Sequence, residues 1–334
     1  MTEQEPVEAI RGTPAFAVVM AAYNGSATIG DSIKSCLSQT NPSLELIVVD
    51  DCSTDDTYRI VQGIAQGDPR VKVLQTSSNS GGPALPKTVG VHHTTAPIVM
   101  FCDQDDRFLP EKLERVAEVF ARYPDTDIVF TDYWIDRESG AVPLVTYLGE
   151  TRNFTKVASA YLKKLDEHIY QCERFIGCMA SGIDTGMATI NIAIRKASLM
   201  REDYVFTRRY RIVDDIDLWH RLALHANIKY LDSPLAVYNW SASTLSGNRE
   251  LYGLESLQFY RINYARVQDL LTPGERRAGR RMLARWAYEL AVIYQDRLAR
   301  CRELALESLR HSPNMLAFKL LIECQSKAMR SWFD

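Results

Sequence analysis

Two buried strands of this sequence end in aspartates, at Asp50-Asp51 and at Asp103-Gln104-Asp105-Asp106, and a further pair, Asp214-Asp215, opens a helical stretch. A single aspartate after a strand ordinarily caps a helix or closes an Asx turn, and Asp55 suits that role. Five aspartates at one sheet edge would repel one another unless a cation or hydrogen-bond donors neutralise them. A divalent metal does so economically, and hard Mg²⁺ or Mn²⁺ favours oxygen ligands. The turn Gly81-Gly82-Pro83 lies between a strand and a helix, where backbone N–H groups receive phosphate, and Lys87 sits one turn further on, within reach of a diphosphate. The turn is neither a Rossmann fingerprint nor a P-loop, since Gly-x-Gly-x-x-Gly and Gly-Lys-Ser/Thr are both missing.

These residues need elements to hold them. Short apolar runs at Phe16–Met20, Leu44–Val49, Val71–Leu74, Ile98–Cys102 and Ile128–Thr131 suit buried strands. Between them Thr28–Gln39, Asp55–Ala65, Pro83–His92 and Pro110–Ala121 read as helices, the first with Ile29, Ile33, Cys36 and Leu37 on one face. Alternation at this spacing predicts βαβ units on a mostly parallel α/β sheet with flanking helices. In such sheets ligands bind outside the carboxyl ends of the strands. Ala22-Tyr23-Asn24-Gly25, Asp50-Asp51 and Asp103–Asp106 therefore share one edge. Residues 136–185 are less regular. Thr189–Ile194, Ile228–Leu231 and Leu235–Tyr238 read as strands and Ile216–Ala226 as a helix. From about Glu250 the pattern is all helical, broken at Thr272-Pro273-Gly274 and His311-Ser312-Pro313. This predicts two domains, 13–245 and a helical 250–334.

At 334 residues, 46% hydrophobic and 24% charged, the chain can bury an ordinary core without disulfide or metal staples. The net charge of −3 argues against a nucleic-acid binder. The charge is uneven, with 14 Lys and Arg against 9 Asp and Glu in residues 251–334, and 25 against 33 before them. Seven cysteines without a Cys-x-x-Cys pair indicate reduced thiols rather than a disulfide framework or zinc ribbon. Met1–Gly12 is acidic and polar, unlike a signal peptide, and no stretch of 18 apolar residues occurs, so a cytoplasmic protein is expected. Arg276, Arg277, Arg280, Arg281 and Arg285 cluster at helical spacing near Trp286 and Tyr288. They suit a helical surface packed on the first domain or a second subunit, or peripheral contact with the inner membrane face.

The ordered motifs resemble glycosyltransferase family 2, the inverting GT-A enzymes that use nucleotide sugars. The resemblance covers roughly residues 15–245. It rests on Val18–Asn24, Ser38-Gln39-Thr40 and Glu45–Asp55, then Asn79–Pro83 leading to the Asp-x-Asp motif at Asp103-Gln104-Asp105, then Asp214-Asp215-Ile216-Asp217-Leu218-Trp219. It implies a GT-A fold and a nucleotide-sugar site at Ala22, Tyr23, Asn24, Asp51, Gly82, Lys87, Asp103 and Gln104. Ala22 and Tyr23 would line the base pocket and Asp51 would accept a hydrogen bond from the base, typically uracil. Asp103 would lie near the ribose and sugar. Asp105 would bind Mn²⁺ or Mg²⁺ bridging the diphosphate. Asp215, with Asp214 as second choice, would be the general base on the acceptor hydroxyl. Two carboxylates side by side raise one pKa, which suits a base; a pair that only caps the helix is the plainer alternative.

Two departures stand out. Many relatives carry Tyr-Arg-x-His after the last strand, where this chain has Tyr238-Asn239-Trp240-Ser241, and Pro86-Lys87-Thr88 replaces a frequent Ala-Arg-Asn. Asn239 or Ser241 would have to serve phosphate or a metal-bound water instead. The implied activity is transfer of one sugar from a nucleoside diphosphate, UDP foremost, to a saccharide or lipid-linked saccharide in cell-surface polysaccharide assembly. A polyprenyl-phosphate sugar transferase and a non-catalytic nucleotide- or sugar-binding module stay open. A nucleotidyltransferase is disfavoured, because Ala21–Gly25 supplies no cation. Tyr133 and Trp134 suit stacking on a sugar or core packing, His92-His93 suit a solvated helix, and Phe175–Asp184 is a candidate lid.

Overall fold

The computed structural model describes residues 14–136, 145–240 and 247–330, with side chains given as far as Cys324 in the last helix. Met1–Gly12, Ser241 and the side chains of 325–334 lie outside the described residues. The chain divides into two compact units, Met1–Phe175 with Thr185–Ser241, and Ile176–Asp184 with Ala242–Asp334.

The first unit is built on eleven strands: β1 Phe16–Ala22, β2 Leu44–Asp50, β3 Val71–Gln75, β4 Ile98–Phe101, β5 Arg107–Phe108, β6 Ile128–Asp136, β7 Val145–Thr146, β8 Leu162–Lys164, β9 Ile169–Cys172, β10 Ile192–Arg195 and β11 Ile228–Asn239. Their order is β3-β2-β1-β4-β10-β6-β11-β9-β8, with β5 on β11 and β7 on β6. The sheet is mixed. It is parallel from β3 to β4 and again between β6 and β11, while β10 runs antiparallel to both its neighbours. β2 is buried along its whole length and β1 nearly so, because helices cover both sheet faces, and such strands read as continuous apolar runs. Register aligns Ala22 with Asp50 and Val19 with Phe101. The turns after β1, β2 and β4 therefore emerge at one edge. The turn before β10 joins them, because an antiparallel strand begins where its parallel neighbours end.

Helices Ile29–Leu37, Thr57–Gly67, Ala84–His93 and Lys112–Arg122 fill the connections. The third lies close on β1: a Cβ at Gly90 would come within 2.4 Å of Val19 Cγ1. Glycine is required there by contact distance, not by backbone angle. We expect Gly90→Ala to destabilise the protein by about 1–3 kcal/mol, the usual effect of overpacking, read from the midpoint of urea unfolding.

Three elements differ from expectation. β6 continues through Asp132 to Asp136, because the Asp132 carboxylate accepts the N–H groups of Tyr133, Leu148 and Gly149 at 2.7, 2.7 and 2.9 Å. β11 is one strand where two were read; Pro234 has no N–H to give the ladder, and register shifts flank it. Thr189–Asn191 forms a 3-10 turn before β10 rather than part of the strand, its buried Asn191 donating to the carbonyls of Thr131 and Gly186 at 2.7 and 3.0 Å.

In the second unit, helices Arg249–Val267, Pro273–Ile293, Leu298–His311 and Met315–Arg330 pack around Leu257, Leu290, Cys301, Leu304 and Leu320. Asn248 caps the first, and a Thr272–Glu275 capping box with proline at the helix start opens the second. Of the segment Phe175–Asp184, read from sequence as a lid within the first domain, Ile176–Asp184 is packed into this unit. Glycine at 279 leaves room for the Ala180 carbonyl, which a Cβ would meet at 2.8 Å.

Candidate functional site

At the shared edge, Asp51 follows β2 and is buried. Its carboxylate accepts the hydroxyls of Thr76 and Ser80, each at 2.8 Å, and the Ser80 N–H at 2.9 Å. Three of about four acceptor positions on the carboxylate are thus used to fix the chain after β3, leaving one for a ligand. Ala22 closes β1, its carbonyl taking the Asp51 N–H at 2.7 Å. Tyr23 is 44% exposed. Asn24 adopts a left-handed conformation (φ 48°), and its side-chain oxygen takes the Thr54 N–H at 2.8 Å. Asn24 therefore holds the turn through its side-chain oxygen while remaining exposed. Asp55 closes an Asx turn onto the Thr57 N–H at 3.0 Å and also accepts the Thr57 hydroxyl and, at 3.1 Å, the Ser26 N–H. Burial opposes its charge, but the Thr57 hydroxyl foremost and these N–H groups hold its carboxyl below the usual range.

After β4 the four residues Asp103–Asp106 diverge in role. Asp103 Oδ2 accepts the Thr189 hydroxyl at 2.8 Å, and its Oδ1 lies 3.8 Å from Lys87 Nζ. Gln104 bonds to the backbone of Tyr23. Asp105 is half-buried, and burial plus the neighbouring Asp103 charge push its carboxyl up to about 6. Asp106 is fully buried. Its Oδ1 accepts the Asn239 N–H at 2.9 Å, its Oδ2 has no partner, and burial first, then Asp103 and Asp105, drive its pKa well up. The Asn239 side-chain amide donates to the Asp105 carbonyl. Asn239 thus braces the turn from β11.

Lys87 is only 4% exposed, covered by the Phe206 ring 5.4 Å away, with Asp103 Oδ1 and Asp214 Oδ2 at 3.8 and 3.9 Å. It is the counter-ion between these two carboxylates. Burial opposes its charge, yet Asp103, Asp214 and Asp215 outweigh that and raise its pKa.

The helix Asp214–Leu222 begins with the acidic pair. Val213 holds the N-cap position and no side chain caps it, so both carboxylates lie within the first turn. Asp214 is buried with Oδ2 lacking a hydrogen-bond donor, and Asp215 is half-buried, its Oδ1 on the Ile216 N–H at 2.7 Å. Burial raises both, to about 7 and about 6, against the lowering effect of Lys87. Two neighbouring carboxyls poised near neutrality suit proton transfer.

Sequence reasoning missed two supports. Thr189 is recognisable only once β10 is placed beside β4. Arg221, 5% exposed, donates to Asp217 at 2.9 Å and to the Val205 carbonyl at 2.7 Å, tying the Phe206 loop to the acidic helix; its i,i+4 spacing from Asp217 was the available signal. Tyr133 is buried and stacked on Tyr147 at 5.1 Å, which settles it as packing. Gly82 lies in the turn before the third helix, with the Arg211 guanidinium donating to the Gly81 carbonyl at 2.7 Å beside it. Among the described residues no group of three or more His, Cys, Asp or Glu forms a metal cage.

Comparison with known proteins agrees with this geometry. The glycosyl transferase family 2 profile matches residues 17–178. The teichuronic acid biosynthesis glycosyltransferase TuaG of Bacillus subtilis, a name given there as putative, is 32% identical over 142 residues, 42% of this chain and 55% of that protein. Residues 1–349 of Staphylococcus aureus TarS, solved in complex with UDP-GlcNAc, superpose with a TM-score of 0.61 at 18% identity, covering 95% of this chain and 92% of that one. A Pyrobaculum calidifontis mannosyltransferase with GDP-Man and Mn²⁺ does so at 0.54 and 17%, over 96% and 84%. At these identities the structures show the shared GT-A fold. The chain spans about half the length of the first curated relatives it matches. With the family's profile over residues 17–178 and the acidic motifs on one sheet edge, the chain carries a glycosyl transferase family 2 domain.

Proposed function

We propose that the chain is a metal-dependent, inverting glycosyltransferase that moves a sugar from a nucleoside diphosphate, UDP foremost, to a saccharide or lipid-linked saccharide in cell-surface polysaccharide synthesis. The catalytic domain is 13–245, apart from the segment packed with the helices. The observation that carries this reading is the convergence of Asp51, Asp103, Asp105 and the Asp214-Asp215 pair on one edge, with Lys87 between the donor-side and acceptor-side carboxylates. The complex of TarS with UDP-GlcNAc and the name of TuaG support the donor and the pathway class.

Asp105, with Asp103 beside it, fits a hard cation. Two carboxylates and substrate phosphate oxygens are the usual Mg²⁺ or Mn²⁺ set; burial and then the Asp103 charge raise Asp105, and a cation offsets both. When bound, the metal supplies charge stabilisation to the departing diphosphate. Asp51 orients the base, and the Gly81-Gly82 turn lies toward the diphosphate. Asp215 takes the proton from the acceptor hydroxyl as it attacks the anomeric carbon opposite the leaving group. A single displacement of this kind inverts the configuration.

The test is a panel of UDP-, GDP- and dTDP-sugars with Mn²⁺ or Mg²⁺, reading nucleoside diphosphate release and, by NMR, the anomer of the product. An inverted product from a UDP-sugar is expected. A retained anomer overturns the base assignment, and nucleotide binding without turnover of any donor favours a binding module.

Contact with an anionic membrane surface is part of the proposal. No helix among the described residues is long and apolar enough to cross a membrane. The helix Met315–Arg330 exposes Met315, Leu316, Phe318 and Ile322, and Lys and Arg exceed Asp and Glu in residues 251–334. Phe318→Ser with Ile322→Ser should abolish co-sedimentation with phosphatidylglycerol vesicles. Loss of a dimer in solution instead, seen by light scattering, would identify the face as an oligomer contact.

A further inference from the structure

The pairing of β1 with β4 ends at Val19 and Phe101, after which only the Cys102 N–H reaches back, to the Val19 carbonyl at 3.2 Å. β1 runs on to Ala22 beside β2, while the chain after β4 turns through Asp103–Asp106. Two loops that must act on one ligand thus lose their shared ladder just where the ligand would begin.

Gln104 rejoins them. Its Oε1 accepts the Tyr23 N–H at 2.9 Å and its Nε2 donates to the Tyr23 carbonyl at 3.0 Å. One amide takes both backbone groups of one residue, as a neighbouring strand would. The Gln104 carbonyl is itself held by the Ser32 hydroxyl at 2.8 Å. Gly25 makes room for the amide: a Cβ there would lie 2.2 Å from Gln104 Oε1. Its φ is not left-handed, so a Cβ at 25 would act by displacing the amide rather than by straining the backbone. On the far side of the same turn, Asn24 is bonded to Ser53 and Thr54. The Tyr23 turn is therefore clamped between the loops that follow β2 and β4.

We infer that Gln104 is a positioning residue that sets the distance between the nucleobase-side turn at Tyr23 and the diphosphate-side carboxylates Asp103 and Asp105, without touching the nucleotide itself. The inference rests on the proposed donor site and deepens it. A ligand that spans two half-sites gains from their fixed spacing, because the second contact is made at high effective concentration. Loss of the strut should therefore weaken a nucleotide carrying both parts while sparing each part alone.

The experiment is calorimetric titration of wild type and Gln104→Ala with three probes in Mn²⁺: UDP, uridine and inorganic pyrophosphate, well below the melting temperature of either protein. We expect UDP binding to weaken about tenfold in Gln104→Ala, with uridine and pyrophosphate changed less than about twofold. Gly25→Ala, which drives a Cβ into the amide's place, should give the same UDP-selective loss. Combining the two substitutions should add little to either, as for residues acting through one contact. Unchanged UDP affinity overturns the inference, as does a loss of uridine or pyrophosphate affinity by the same factor, which would make Gln104 a direct ligand. If wild type binds no UDP, it is the donor-site reading that fails, and the strut is not at issue.

Discussion

Asp215→Asn should lower kcat by about 10³-fold, within the range attributed to a positioned general base, while leaving UDP affinity within about twofold of wild type, because only transition-state stabilisation is removed. The carboxylate is half-buried on the first turn of the acidic helix, and burial puts its pKa at about 6. A base must be deprotonated to act, so kcat in wild type should rise as pH increases through about 6 and level off above it. The asparagine variant should lose that limb along with the rate. Asp214→Asn is the informative companion. Asp214 is buried against Lys87, so its loss should act mainly on stability and on the position of the pH limb. Should Asp214→Asn remove the rate and Asp215→Asn leave it, the two roles are exchanged. Steady-state rates between pH 5 and 8 decide the matter.

Lys87→Met should destabilise the protein by about 3–5 kcal/mol, the effect of removing one partner from a buried ionic group. For a domain of this size each kcal/mol moves the melting temperature by about 2–4 °C, so calorimetry should show a drop on the order of 10 °C. The deficit should depend on pH with a definite sign. Without the lysine, Asp214 and Asp215 lose the charge that lowers their pKa, and both are already raised by burial. A carboxyl whose folded pKa exceeds its unfolded one contributes stability at low pH and loses it as pH rises through the folded value. The gap between Lys87→Met and wild type should therefore be widest above pH 7 and narrow on acidification below about 6. A gap independent of pH would mean that lost packing against Phe206, not lost charge, is responsible. Lys87→Arg should recover part of the stability at best, since the wider guanidinium has to enter a site closed by the Phe206 ring.

The residues at the strand ends were legible because parallel strands covered on both faces are unbroken apolar runs, and the polar residues that end them are conspicuous. Ala22, Asp51, Asp103 and Asp105 all fall where that reasoning puts them. What escaped it depends on contacts across long separations. That Phe206 lies over Lys87, with Asp103 and Asp214 beside it, is a contact that nothing nearby in sequence reveals. The Gln104 amide and the Asn24 side-chain oxygen bond to backbone groups of other loops, which their place in the sequence does not reveal. Asn239 stood where relatives carry a charged motif, and only the β11 register shows that it reaches back to Asp105 and Asp106. Asp132 hid the second half of β6 because a carboxylate inside a strand contradicts the apolar pattern unless donors from a later turn are known. The segment Ile176–Asp184 gave no sign of its place, since short glycine-bearing loops look alike whether free or packed.

The most direct test of the donor site is thermal stability with UDP, GDP, dTDP and CMP, each with and without Mn²⁺, in wild type and Asp105→Ala. A ligand at 100 times its dissociation constant adds about 2.7 kcal/mol of stability. The account predicts a UDP shift that needs Mn²⁺ and disappears in Asp105→Ala. No shift with any nucleotide, or a UDP shift indifferent to both Mn²⁺ and Asp105, would contradict it.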